Sequence, residues 1–336
     1  DGVLTYALFA DKDSSTISFH LSAPAAYGWT AVGFGSQMKD ALIFIAYPSG
    51  DKSGVTVSPR TADGHSEPSY LDKITCKPPG STDGLAPGAN TVSGDDQILS
   101  ADVVCSGLDA WSGWKSLDFG SENSQFIFAL GPDYGSHGPG SSHDKGGSWW
   151  ASTSLSAGLQ RHDQYGHFAL SLKAASAGDV SAVPAPNAAG GSSYTGTAAS
   201  DATGVKSDRD PAPIIHGLIM SLVWVIIFPV GAAVLKIMRK VLWHAACQGI
   251  GAVLFLMATA GGIKVSSLYN RSKHFSSPHQ VIGILLLIAV ILQFALGLVH
   301  HRLYKKNQQP TLMGKIHRYL GPVTMVIGLI NGFIGF

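Results

Sequence analysis

The sequence predicts two unlike halves, an all-β immunoglobulin-like sandwich followed by an all-α transmembrane helix bundle. Three observations predict this. Short alternating apolar segments between Gly, Pro, Asn and Asp turns recur through residues 1–173. Long apolar runs, each about 20 residues and so able to cross a hydrocarbon core of about 30 Å, fill residues 214–336. Only 13% of the residues are charged, against about 25% in soluble domains. Between the halves, residues 174–213 are Ala, Gly, Ser, Thr, Pro and Asp without periodicity, which predicts a flexible linker with too little apolar surface to fold.

In the first half the strand candidates are VLTYALFA, TISFHLSA, WTAVGFG, ALIFIAY, GVTVS, QILSADVV, QFIFALG and HFALSL. The stretch Gly131 to Gly147 is rich in Gly and Ser and reads as a loop. Cys76 and Cys105 fit a disulfide in an oxidising compartment, and Cys247 reads as a buried thiol. The chain starts at Asp1 without an initiator Met, which suggests a removed signal peptide. A net charge of +1 and the lack of a Lys/Arg-rich run argue against a nucleic-acid partner.

Three places in this half could carry chemistry. Met38 is its lone Met, beyond a Gly-rich turn; such a Met is either core filler or a soft ligand. His162 precedes the Gly166 turn. His167 opens a strand in which Phe168, Leu170 and Leu172 take one face while His167, Ala169 and Ser171 take the other, less apolar one. His162 is the freer of the two to leave the sheet, although His167 could also ligate if its face lines a pocket. Trp149 and Trp150 are adjacent, so in a strand one would point inward and the other would be open to a sugar or a partner.

Four spans are read in the second half: IIHGLIMSLVWVIIFPVGAAVL with Pro229 inside it, about VLWHAACQGIGAVLFLMATAGGI, about HQVIGILLLIAVILQFALGLV, and HRYLGPVTMVIGLINGFIGF. Each carries one histidine near its N-terminal end: His216, His244, His279 and His317. Ionisable groups in membrane-length apolar runs mark function by default. Lys236, Arg239 and Lys240 join spans one and two, and Arg302, Lys305, Lys306 and Lys315 join spans three and four, which places these connections on the inner side. The β half and the loop with the glycosylation pattern Asn270-Arg271-Ser272 then lie outside. His216 and His279 fall near the outer face, and His244 and His317 near the inner face. If all four ligate, depth pairs His216 with His279 and His244 with His317. Haem, which takes an axial nitrogen from each side, is the cofactor that suits such pairs. Gly283 and Gly321 each follow a histidine by four residues, where they would make room for a macrocycle or allow close helix packing. His274, His300 and His301 read as solvated or interfacial.

At Trp29, Gly33-Phe34-Gly35, Met38, Arg161-His162-Asp163 and Gly166 the chain resembles DOMON domains, above all the haem-binding cytochrome domain of cellobiose dehydrogenase. That resemblance implies one b-type haem held between Met38 and His162. Over about the last 120 residues, His216 with Met220 and Trp224, Trp243-His244, His279-Gln280 with Gly283, and His317-Arg318 with Gly321 resemble the cytochrome b561 family, with two haem b groups on four histidines. The family core continues beyond a helix like span four, so the resemblance also suggests a C-terminally truncated chain. Together the two resemblances imply an integral membrane protein, expected at the plasma membrane with the DOMON domain extracellular. It would pass electrons from an ascorbate-like cytosolic donor to an extracellular acceptor, either a ferric or cupric ion or a secreted redox enzyme, in the manner of a transmembrane ferric or cupric reductase. Arg239 and Lys240 would attract an anionic donor or simply set topology. The alternative is a membrane-anchored carbohydrate- or partner-binding module without a redox role.

Overall fold

A computed structural model of the chain describes residues 4–24, 26–50, 54–79, 98–133, 151–181, 183, 203–208 and 210–335. It forms two compact units, Asp1–Arg209 and Asp210–Phe336. Trp149, Trp150 and most of the Gly131–Gly147 stretch lie outside the described residues.

The first unit is built from β1 (Thr5–Asp11), β2 (Thr16–Pro24), β3 (Thr30–Phe34), β4 (Leu42–Pro48), β5 (Val55–Thr61), β6 (Ser69–Tyr70), β7 (Thr75–Lys77), β8 (Ile98–Ser106), β9 (Ser124–Leu130), β10 (Gln164–Leu170) and β11 (Thr203–Ser207). One sheet runs β1-β2-β8-β7 and the other β11-β10-β9-β3-β4-β5-β6. All eight sequence-read strands are present, because a period of two sends every second side chain into one layer. Ile17, Phe19 and Leu21 of β2 enter the core with Val32 and Phe34 of β3, Phe44 of β4, Phe126 of β9 and Phe168 of β10. Their rings lock together off-parallel, Phe34 to Phe126 at 4.8 Å and Phe19 to Phe44 at 5.1 Å, as the aromatic quadrupole favours. Cys76 and Cys105 form a disulfide between β7 and β8. After β10, Ser171 caps the short α1 (Leu172–Ala175) by accepting from the Ala174 N–H.

The seven-stranded sheet also buries its other face. Trp29, Ala31, Ala41, Ile43, Ile45, Tyr47 and Leu159 form a second apolar cluster there. The segment from Ala151 to Arg161 is tied across this face as a strap. Arg60, with no exposed surface, donates to the carbonyls of Leu155, Ala157 and Pro68 and to Ser58 Oγ. Thr56 and Ser58 donate to the Ser152 and Leu155 carbonyls, and Glu67 accepts from the Leu159 N–H at 2.7 Å.

Within the stretch read as linker, β11 is a strand. It pairs antiparallel with β10, Gln164 opposite Ser207 and Tyr165 opposite Lys206. An open sheet edge offers unpaired N–H and C=O groups to any extended segment, whatever its side chains.

The second unit is helical: α2 (Ala212–Ser221), a π-helical turn at Leu222–Ile227, α3 (Phe228–Met238), α4 (Val241–Leu268), α5 (Pro278–Asn307) and α6 (Leu312–Gly335). The π turn falls just before Pro229, which has no N–H to donate and whose ring crowds the carbonyl four residues back. Ser277 and Gln280 make a capping box at the start of α5, with Pro278 at the first helical position. Ala212–Met238, Val241–Leu268 and Pro278–Asn307 are long and apolar enough to cross a membrane. The fourth expected span is helical over its described residues as α6, whose first turns carry Lys315 and Arg318, and it is not one of those three. The helices pair as two hairpins, α2/α3 with α4 and α5 with α6. Between the hairpins lie Val223, Trp224, Phe228, Phe255, Leu286 and Val290.

Candidate functional site

Each of the four span histidines reaches a neighbouring helix of its own hairpin through Nδ1. His216 bonds the Ala258 carbonyl at 2.7 Å and His244 the Gly231 carbonyl at 2.8 Å. His279 bonds the Asn331 carbonyl at 3.0 Å and His317 the Gln293 carbonyl at 3.0 Å. A carbonyl can only accept, so Nδ1 carries the proton and Nε2 is left as a lone pair. This is the arrangement that orients metal-binding imidazoles.

The rings then face one another across the hairpins in the pairs that depth predicts. His216 and His279 have ring centres 6.2 Å apart, and His244 and His317 have theirs 6.3 Å apart. A metal–nitrogen bond of about 2.0 Å plus about 1.1 Å from nitrogen to ring centre, counted twice, requires about 6.2 Å. The residues present therefore fit a bis-imidazole haem at each level.

The space for three of these rings comes from glycines that the sequence reading did not select. A methyl group on Gly262 would stand 2.6 Å from His216 Cε1, on Gly335 2.5 Å from His279 Cε1, and on Gly297 2.9 Å from His317 Cε1. Gly321 instead faces the Gln293 amide, where a methyl would come to 2.8 Å, so its part is close helix packing. At Gly283 the nearest atom, Asn331 Nδ2, would be 3.7 Å away, which is ordinary contact. His274 and His301 are exposed. His300 is half-buried and bonds Thr311 Oγ1 through Nδ1 at 2.8 Å.

In the β unit, Met38 and His162 both border the second apolar cluster. Met38 packs directly against it. Its loop starts at Gly35, whose φ of +123° favours glycine, and is held by the Asp40 N–H on the Ala62 carbonyl at 2.7 Å and by Trp111 Nε1 on the Asp40 carbonyl at 2.9 Å. His162 follows the strap and stands edge-on to Trp29, ring centres 6.4 Å apart, while Trp29 Nε1 donates to the Gln160 carbonyl. Beneath them the cross-strand partners Ala31 and Ala129 keep the middle of the face low. Burial lowers the His162 pKa and favours the neutral imidazole, the form that binds a metal. Its Nδ1 is buried without a hydrogen bond among the described residues, 3.4 Å from Asp208 Oδ2. A soft thioether and a neutral imidazole on one apolar face suit haem iron.

His167 does not leave the sheet. It lies opposite Ile127, which is paired with Gly33, itself opposite Ile43. Directly paired residues share a face, so His167 stands on the side of the second cluster. The face that looked less apolar from β10 alone is apolar once its neighbours are counted.

Residues 5–180, more than half of the chain, match the family described as the cytochrome domain of cellobiose dehydrogenase, and residues 215–336 match eukaryotic cytochrome b561. An Arabidopsis thaliana cytochrome b561 and DOMON domain-containing protein is 28% identical over 143 residues, covering 41% of this chain and 34% of its own length. The chain thus spans about a third of that relative. Among solved structures, the cytochrome b domain of pyranose dehydrogenase from Coprinopsis cinerea gives a TM-score of 0.36 at 16% identity, over 52% of this chain and 77% of its own. The cytochrome domain of Myriococcum thermophilum cellobiose dehydrogenase gives 0.25 at 16% identity, over 38% and 60%. The helical unit makes the chain an integral membrane protein, and with its β unit matched over residues 5–180 the chain belongs to the family of cellobiose dehydrogenase cytochrome domains, here followed by a cytochrome b561 segment.

Proposed function

We propose that the protein carries electrons across a membrane on three haem b groups, from an ascorbate-like cytosolic reductant to an extracellular acceptor, a ferric or cupric ion or a secreted redox enzyme. One observation carries this reading: two imidazole pairs at two depths, each with ring centres an iron's span apart and each Nε2 left free. Haem supplies reversible one-electron chemistry when bound. The chain's own part is to hold and orient. His216 and His279 form the outer pair, His244 and His317 the inner pair, and Met38 with His162 the pair in the β unit. Arg239 and Lys240 lie beside the inner end, where they favour an anionic donor. In this reading α6 is the fourth span, the β unit faces outward, and the plasma membrane is the site of action.

A redox titration of the purified protein tests it. Three centres are expected, one distinct from the other two. His216→Ala should remove one membrane signal and His244→Ala the other, while Met38→Ala and His162→Ala should each alter only the distinct one. A wild-type β unit that takes up no haem would reject the reading for that half, and membrane signals that survive loss of both His216 and His244 would reject it for the other.

A further inference from the structure

The family match to the β unit ends at residue 180, yet a later residue reaches its candidate ligand. β11 returns to the edge of β10, and Asp208 follows it directly. The Asp208 N–H donates to the Asp163 carbonyl at 2.8 Å, which pins it beside His162. Arg161 grips its carboxylate with two donors, Nε on Oδ2 and Nη2 on Oδ1, each at 2.9 Å. The carboxylate's Oδ2 is 3.4 Å from His162 Nδ1, a buried nitrogen that makes no hydrogen bond among the described residues.

We infer that Asp208, delivered by β11, is the positioning residue of His162, the anchor that turns this imidazole and fixes its proton on Nδ1 so that Nε2 faces the cofactor. The inference rests on the proposed haem reading of Met38 and His162. In the membrane unit the same task falls to four neutral carbonyls. Here the acceptor is charged, and a charged acceptor makes the imidazole a stronger electron donor. A stronger donor favours ferric iron, so Asp208 opposes the rise in potential that a thioether ligand brings. Arg161 keeps the carboxylate in place. Docking of β11 thereby becomes part of the site, although the strand lies outside the matched domain.

The test uses the full chain in detergent, with the two membrane haems as internal references. Asp208→Asn should raise the midpoint of the β-unit haem, each tenfold loss of ferric preference reading as about 59 mV for one electron. The membrane midpoints should stay put, and Asp208→Glu should restore part of the shift. In haem-free protein labelled with 15N-histidine, His162 should be the Nδ1–H tautomer, and Asp208→Asn should lose that preference. A variant with wild-type midpoint and wild-type tautomer overturns the inference. If Asp208→Asn removes the β-unit haem altogether, two further variants decide. Recovery in Asp208→Glu supports the inference; loss in Asp208→Glu matching that in the strand-breaking Val205→Pro reduces Asp208 to a strand anchor and overturns it. An unaltered β-unit haem signal in His162→Ala would instead sink the ligand reading on which the inference rests.

Discussion

Four backbone carbonyls decide which nitrogen of each membrane imidazole remains for a metal, and three glycines decide whether the ring can lie where that nitrogen is useful. In the proposed reading, Gly297→Ala should remove the haem signal of the His244–His317 pair and leave that of the His216–His279 pair, because its methyl would stand 2.9 Å from His317 Cε1. Gly335→Ala should do the reverse through His279, at 2.5 Å. Absorption and paramagnetic resonance spectra read both outcomes, and an unaltered pair of spectra would mean that the rings have room to retreat. Tyr6 poses the opposite case in the β unit. Among the described residues its hydroxyl is buried without a hydrogen-bond partner, and burial pushes its pKa far above the usual phenol range. Removing an unsatisfied buried polar group relieves a desolvation cost of about 1–3 kcal/mol. Tyr6→Phe should therefore raise the denaturant midpoint of the β unit, by about 1 kcal/mol in stability once the ring's small shape change is allowed for. A lower midpoint would point to a partner for the hydroxyl.

The strap from Ala151 to Arg161 shows how an irregular segment can be held as firmly as a strand. Arg60 and Glu67, with 1% and 3% of their side-chain surface exposed, are 3.7 Å apart and hold it at both flanks. Arg60→Met leaves the Glu67 carboxylate buried without its cation, a loss of roughly 3–5 kcal/mol. Limited proteolysis should then cut within the strap, and His162, which follows it, should lose its place by Trp29. A strap still resistant to protease would show that its remaining bonds to Thr56, Ser58 and Glu67 suffice. Little of this was legible in the sequence. Alternation exposed the strands of the core, since Ile17, Phe19 and Leu21 announce their layer locally. The strap's bonds run from distant side chains to carbonyls that every residue type possesses, so nothing in its composition marks it. β11 was hidden for the same reason, its pairing being backbone to backbone in a stretch rich in small residues. The histidines were legible because a polar ring in an apolar span is conspicuous. Their glycine partners were not, because which glycine meets which ring depends on the register between helices.

Over the whole molecule, a net charge of +1 conceals a strong division. Up to Arg209 there are 12 lysines and arginines against 21 carboxylates, a net of −9; from Asp210 onward there are 11 against one, a net of +10. A field of one sign steers small ions before they touch the surface, and salt weakens it, with a screening length of about 10 Å at 0.1 M. Oxidation of the proposed β-unit haem by ferricyanide should therefore speed up as salt is added, while oxidation by the cationic hexaammineruthenium(III) should slow. Stopped-flow traces at several ionic strengths check this, and equal slopes for the two oxidants would place the exposed haem edge away from the acidic surface. The helical unit has a division of its own. Each of the four span histidines is anchored within its hairpin, whereas both facing pairs join one hairpin to the other. Each hairpin can thus be threaded into the bilayer and settle its imidazoles before any porphyrin arrives. In the proposed reading the pigment would then act as a pair of rivets, and a cell starved of it would accumulate folded hairpins awaiting those rivets rather than misfolded chains.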